Sequence, residues 1–324
     1  MKISGFSRHA FSSCVAALLA GCDGSQPRIG APGAMPQTST ITTHAERGKS
    51  WLNARANYHH PWLYVADTMN SNIYVYDLGR GATQIGEIST GLDGPFGMTI
   101  DGSGNLYVAN QNVPGNVVIY APGTAKPSLT LSDDLYVPQG VAVDSGGNVW
   151  ITNREYGSGQ SGIAVFPPGE TTPSAYITSD LIQKPIEDFF DQEGNLYFSD
   201  QETGVSEIAH GSQEVISLDL QGLAHADGVI LGASGNLYVN DFPSYATHVY
   251  ALGRKEPSYN LRDHVAGYYI ADGNIGFKNY VFLADWYSGR VFMYRDDGSK
   301  KPFATIDTPS ENTGGVAFKP AGVP

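Results

Sequence analysis

A phrase of alternating apolar residues ending in Asp or Asn returns six times along this 324-residue chain. Its copies are WLYVAD (Trp62 to Asp67), NLYVAN (Asn105 to Asn110), NVWITN (Asn148 to Asn153), NLYFSD (Asn195 to Asp200), NLYVND (Asn236 to Asp241) and YVFLAD (Tyr280 to Asp285). Their last residues stand 43, 43, 47, 41 and 44 positions apart, and a period in the forties belongs to propeller or solenoid arrays. Each copy sits in a larger unit, clearest from Pro95 to Leu131, where FGMTID, NLYVAN, NVVIYAPG and PSLTL follow one another. All four segments are short, rich in Val, Ile, Tyr and Thr, and bounded by turn residues, which describes antiparallel strands joined by hairpins. The repeat region offers no sustained helical periodicity, so the expected class is all-β.

Strand counting fixes the expected architecture. The chain enters at the second strand of its first unit and stops after a first-type strand, GGVAFKP (Gly314 to Pro320), so that every strand type occurs six times. Residues 61–324 are therefore expected to form a six-bladed β-propeller of four-stranded antiparallel blades, with the C-terminal strand completing the first blade. Such closure removes the open edges that template aggregation. The phrase GVAVDSGGNVWITN (Gly140 to Asn153), followed by GIAVFPPG (Gly162 to Gly169), resembles NHL repeats and the related six-bladed propellers of the gluconolactonase (SMP-30) type. The resemblance specifies a fold and leaves activity open, because propellers host lactonases, lyases, esterases, receptors and scaffolds.

The N-terminal text differs in kind. Lys2 and Arg8 precede an apolar run, Val15 to Ala20, too short to span a bilayer, and residues 1–21 read as an export signal. Leu19-Ala20-Gly21-Cys22 resembles the lipobox of bacterial lipoproteins, which implies cleavage before Cys22, lipidation of that cysteine and a membrane partner reached through the anchor. Residues 22–60, rich in Pro, Gly, Ser and Thr, read as a flexible tether to the globular body. The expected location is thus the bacterial cell envelope. Cys14 and Cys22 are the only cysteines, leaving the propeller without disulfide or thiolate chemistry. A formal net charge of −13 repels phosphate backbones, so no nucleic acid partner is expected; a small ligand or an envelope protein is, with the chain itself a monomer.

Two rings of residues fall on the face that carries the loops between blades. The ends of the second strands, Asp67, Asn110, Asn153, Asp200, Asp241 and Asp285, suit turn-forming caps. An inner ring, just before the recurring glycine or its equivalent, is expected at Phe96, Gln139, Ile186, Asp227, Asp272 and Gly314, with the Asp272 placement assuming a turn shortened by one residue. Glu187, in the place of the glycine, is expected to point away from the channel axis. The gluconolactonase resemblance implies a divalent metal at such inner positions, and Asp227, Asp272 and Gln139 are the candidate ligands for Ca²⁺ or another divalent cation. His225 and Asp227 are the candidate catalytic groups, two residues apart and able to point the same way along an extended segment. Gln139, Asp272, Tyr269 and Trp286 are the candidate ligand-binding residues. The incomplete acidic pattern favours a non-enzymatic ligand- or partner-binding propeller. A metal-dependent lactonase or esterase is the alternative, and a lyase resembling the streptogramin lyases the third reading.

Overall fold

A computed structural model describes residues 51–53, 56, 58–155, 159–262 and 267–323. Cys22 and the signal segment lie outside the described residues. Five four-stranded antiparallel sheets and one five-stranded sheet make six blades. Blade 1 runs from its inner strand outward as Thr313–Lys319, Trp62–Asp67, Asn72–Asp77, Thr83–Ile88 and Trp51–Leu52. The inner strands of blades 2 to 6 are Pro95–Ile100, Val137–Val143, Pro185–Phe190, Val229–Leu231 and Ile270–Ile275. The C-terminal strand pairs with the first repeat copy, Trp62 opposite Lys319 and Val65 opposite Val316, so the ring closes as the repeat count requires.

The second strands are buried on both faces because each blade is sandwiched between two others. Along Trp62–Asp67, Trp62, Tyr64 and Ala66 pack with Val108, Val118 and Tyr120 of blade 2, while Leu63 and Val65 pack with Phe282 and Ala284 of blade 6. Apolar contact on both faces replaces a single central core, and this is why the recurring phrase is almost wholly apolar.

Two residues assigned to the tether form structure. Trp51 pairs with Glu87 and Leu52 with Gly86, adding a fifth strand to the outer edge of blade 1. Leu52 packs against the blade 1–2 cluster, in space that Gly86 leaves open. A two-residue strand has no periodicity to read, so its pattern was invisible in the sequence.

In blades 1 to 4 the inner strand carries a bulge at one place, spanning Gly314-Gly315, Phe96-Gly97, Gln139-Gly140 and Ile186-Glu187. A bulge bends the strand and re-aims its side chains. Inner strands also approach one another closely there: a Cβ on Gly315 would lie 1.9 Å from the Phe96 carbonyl oxygen, and one on Gly97 would lie 2.2 Å from that of Gln139.

Candidate functional site

Strand register assigns each side chain its depth in the central channel. Met98, Val141, Asp188, Val229, Ile270 and Val316 occupy equivalent positions, each opposite the residue two before the Asx cap of the second strand. The uppermost layer is therefore Phe96, Gln139, Ile186, Asp227, Tyr268 and Gly314. The next contains Gly97, Gly140, Glu187, Gly228, Tyr269 and Gly315. Asp272 pairs with Val281, two residues below Ile270, and does not share the layer of Asp227. The Ala-Asp-Gly text at Ala271 suggested otherwise. Blade 6, however, closes its hairpin tightly, Ile275 opposite Lys278, and the phrase recurs four residues deeper.

Two side chains fill the space that four glycines leave in the second layer. Tyr269 reaches across the whole ring from blade 6, its hydroxyl donating to the Gln139 carbonyl of blade 3 at 2.6 Å. Glu187 also crosses the channel, contrary to the alternation expected of a regular strand. Its carboxylate accepts from the Val229 amide at 2.6 Å and the Ile270 amide at 3.2 Å. The bulge at Ile186-Glu187 accounts for the change of direction. Phe96, Ile186 and Tyr269 form a small buried cluster with Tyr268 and Trp286 against it, so the channel is plugged beneath its mouth. Tyr269 is only 1 % exposed and belongs to the plug; a ligand at the mouth would touch Tyr268 and Trp286 first.

Below the plug lies a cavity of about 180 Å³ bordered by Glu187, Asp188, Asp272 and apolar side chains such as Met98 and Phe318. Burial pushes the Glu187 and Asp188 carboxyls well above their usual range, and that of Asp272 up to about 6. An acid whose folded pKa is raised stabilises the fold while neutral and loses that contribution as pH rises through the folded value. Between about pH 4 and 6 Asp272 should thus lower stability as pH increases. Asp272→Asn is expected to gain about 2 kcal/mol over wild type at pH 7.5 and nothing at pH 4, read from urea unfolding at both values.

At the mouth, a polar arc and an aromatic arc meet. Gln139 Nε2 donates to Gln111 Oε1 at 3.2 Å, Arg154 Nη2 to Gln201 Oε1 at 2.9 Å, and Gln201 Nε2 to Asp227 Oδ1 at 2.6 Å. The backbone amide of Phe242 donates to Asp227 Oδ2 at 2.9 Å. Burial raises the Asp227 carboxyl, while these donors and nearby His225 hold it down. Asp227 is fully buried, whereas His225 is exposed and near enough for its charge to act on the Asp227 carboxyl. On the other side Phe242 stacks on Tyr268 at 4.7 Å, Tyr268 meets Trp286 edge-on at 5.4 Å, and Tyr287 lies 5.8 Å from Phe242. Tyr245 and Tyr287 form the exposed rim.

Most of these side chains share one register. Thr68, Gln111, Arg154, Gln201, Phe242 and Trp286 each follow the Asx cap of their blade. The caps themselves hold the loops that lead into the inner strands: Asp200 Oδ2 accepts from the Gln183 and Lys184 amides, and Asp241 accepts from those of Ala224 and His225. The sequence expectation does not include Gln201 and Gln111; the one signal that marks them is their place directly after the recurring cap, where residue type varies from blade to blade.

The residues present do not fit the divalent cation that the gluconolactonase resemblance implies. Both Asp227 oxygens already accept hydrogen bonds, Asp272 lies deeper in the channel, and among the described residues no group of three or more His, Cys, Asp or Glu stands together to hold a metal.

Among solved structures, the chain is similar to one from a crystal structure of a nidogen/laminin complex. The TM-score is 0.66 at 17 % identity, covering 81 % of this chain and 99 % of that one. It is also similar to a protein of unknown function from Bacteroides caccae, with a TM-score of 0.59 at 10 % identity over 80 % and 98 % of the two chains. Likeness at this identity establishes the six-bladed propeller fold. No family model and no curated protein matches the chain.

Proposed function

We propose that the protein is a non-enzymatic binding module whose loop-bearing mouth takes a small neutral ligand of the saccharide type, held in the cell envelope by a lipid on Cys22. One observation carries this reading: an aromatic shelf from Phe242 to Trp286 adjoins, through the Phe242 amide on Asp227, the hydrogen-bonded set Arg154–Gln201–Asp227, with a second polar pair, Gln111–Gln139, on the same ring. Sugars present apolar C–H faces to aromatic rings and hydroxyls to such donors and acceptors. The plug beneath the mouth closes the channel to deeper entry and leaves the shelf as the contact surface.

The test is calorimetric titration of the protein with neutral gluco-, chito- and xylo-oligosaccharides. At least one series should bind, and Tyr245→Ala with Tyr287→Ala should weaken it about tenfold or more, from roughly 0.5–1.5 kcal/mol for each aromatic contact. Failure of every series, or equal binding by the double variant, would refute the saccharide reading.

A further inference from the structure

The basic residues of the propeller are unevenly distributed. Between Pro61 and Gly253 the chain has Arg80, Lys126, Arg154 and Lys184 alone; the next 48 residues contain eight. The overall acidity hides this polarity. Four of the eight, Lys278, Arg295, Lys300 and Lys301, belong to the two connections at the lower end of blade 6, opposite the mouth.

The turn at that end also breaks the internal rule. In blades 2, 3 and 4 the turn from first to second strand opens with Asp101, Asp144 or Asp191, which accepts from the amide of the following Asn105, Asn148 or Asn195. Blade 6 has Gly276-Phe277 instead, and Phe277 is fully exposed at 104 % of its reference area. Phe303, from the neighbouring connection, is 53 % exposed with the Arg295 guanidinium 4.2 Å above its ring. Arg295, Ser299, Lys300, Lys301, Pro302 and Phe303 border a shallow cleft of about 320 Å³. The acids nearby are Asp296, occupied by Ser234 and Tyr238, and Asp297, held ionised by Ser299 with Arg295 and Lys278 close by. The patch therefore remains net positive around two protruding phenyl rings.

We propose that this lower face of blade 6 seats on an anionic lipid surface, with Phe277 entering the headgroup–acyl boundary and the cleft receiving a phosphodiester headgroup. An apolar side chain at a turn tip, ringed by lysine and arginine, has the chemistry of interfacial membrane contacts. A membrane seated there would leave the mouth pointing away from the bilayer. The inference goes beyond the binding function proposed above and depends neither on the saccharide nor on lipidation at Cys22.

The test is flotation of the full chain carrying Cys22→Ser with phosphatidylcholine vesicles, with and without phosphatidylglycerol. The ratio of variant to parent is the readout, because it cancels any contribution of residues 1–50. Lys300→Gln with Lys301→Gln should lower partition onto phosphatidylglycerol vesicles roughly 25-fold, from about fivefold for each basic side chain. Phe277→Ser should lower it about tenfold. All three positions are exposed, and an unchanged thermal midpoint confirms the fold of each variant. Partition unchanged in both variants, or equal with and without phosphatidylglycerol, overturns the proposal. So does concentration-dependent dimerisation in sedimentation that the lysine variant abolishes, which would assign the patch to the acidic blades of a second copy.

Discussion

Tyr269→Ala is expected to lower the free energy of unfolding by about 3–5 kcal/mol, the range for deleting a large buried aromatic side chain. Tyr269 is the largest side chain of its channel layer, and its neighbours in that layer are mostly glycines whose backbones already touch adjacent inner strands. They cannot move inward to fill the void. Truncation also leaves the Gln139 carbonyl without the hydroxyl that meets it at 2.6 Å. Tyr269→Phe separates the two contributions, because it keeps the ring and removes the hydrogen bond; a loss of only about 1 kcal/mol is expected. Urea unfolding of the three proteins measures both. Similar losses for Ala and Phe would mean that the ring itself packs poorly.

Glu187→Ala is expected to cost about 3–5 kcal/mol for a different reason. It leaves the Val229 and Ile270 amides in the channel without their acceptor, at roughly 1–3 kcal/mol for each buried unpaired donor. Glu187→Gln retains one oxygen for those donors and removes an acid that burial disfavours, so it should stay within about 1 kcal/mol of wild type at neutral pH. Equal stability of the alanine variant and wild type would show that water replaces the carboxylate, and that Glu187 is not needed to tie blade 4 to blades 5 and 6.

The blades were legible because their second strands are buried on both faces, so selection for apolar residues leaves the same text six times. The closing strand was legible by counting. Register was legible only where the turn between first and second strands kept its length. In blade 6 the turn tightens to Gly276-Phe277 and the strands lengthen, which moved Asp272 out of the layer where its text had placed it. Strand alternation cannot anticipate the bulge at Ile186-Glu187, which turns the Glu187 side chain across the channel. Gln201 and Gln111 were hidden by ordinary polar chemistry; their meaning comes from the ring position they share with Arg154, Phe242 and Trp286.

At the mouth, Asp227 accepts from Gln201 and from the amide that starts the Phe242 loop, and under the proposed binding function that role is structural, with no metal assigned to the upper channel. Thermal unfolding of wild type and Asp227→Ala, with and without millimolar Ca²⁺, Mg²⁺, Mn²⁺ or Zn²⁺, tests that most directly. Asp227→Ala should be less stable by about 1–3 kcal/mol through its lost hydrogen bonds, by the same amount whether or not a metal is added. A cation that raises the midpoint of wild type and leaves that of Asp227→Ala unmoved would contradict this, and would restore the metal-dependent hydrolase.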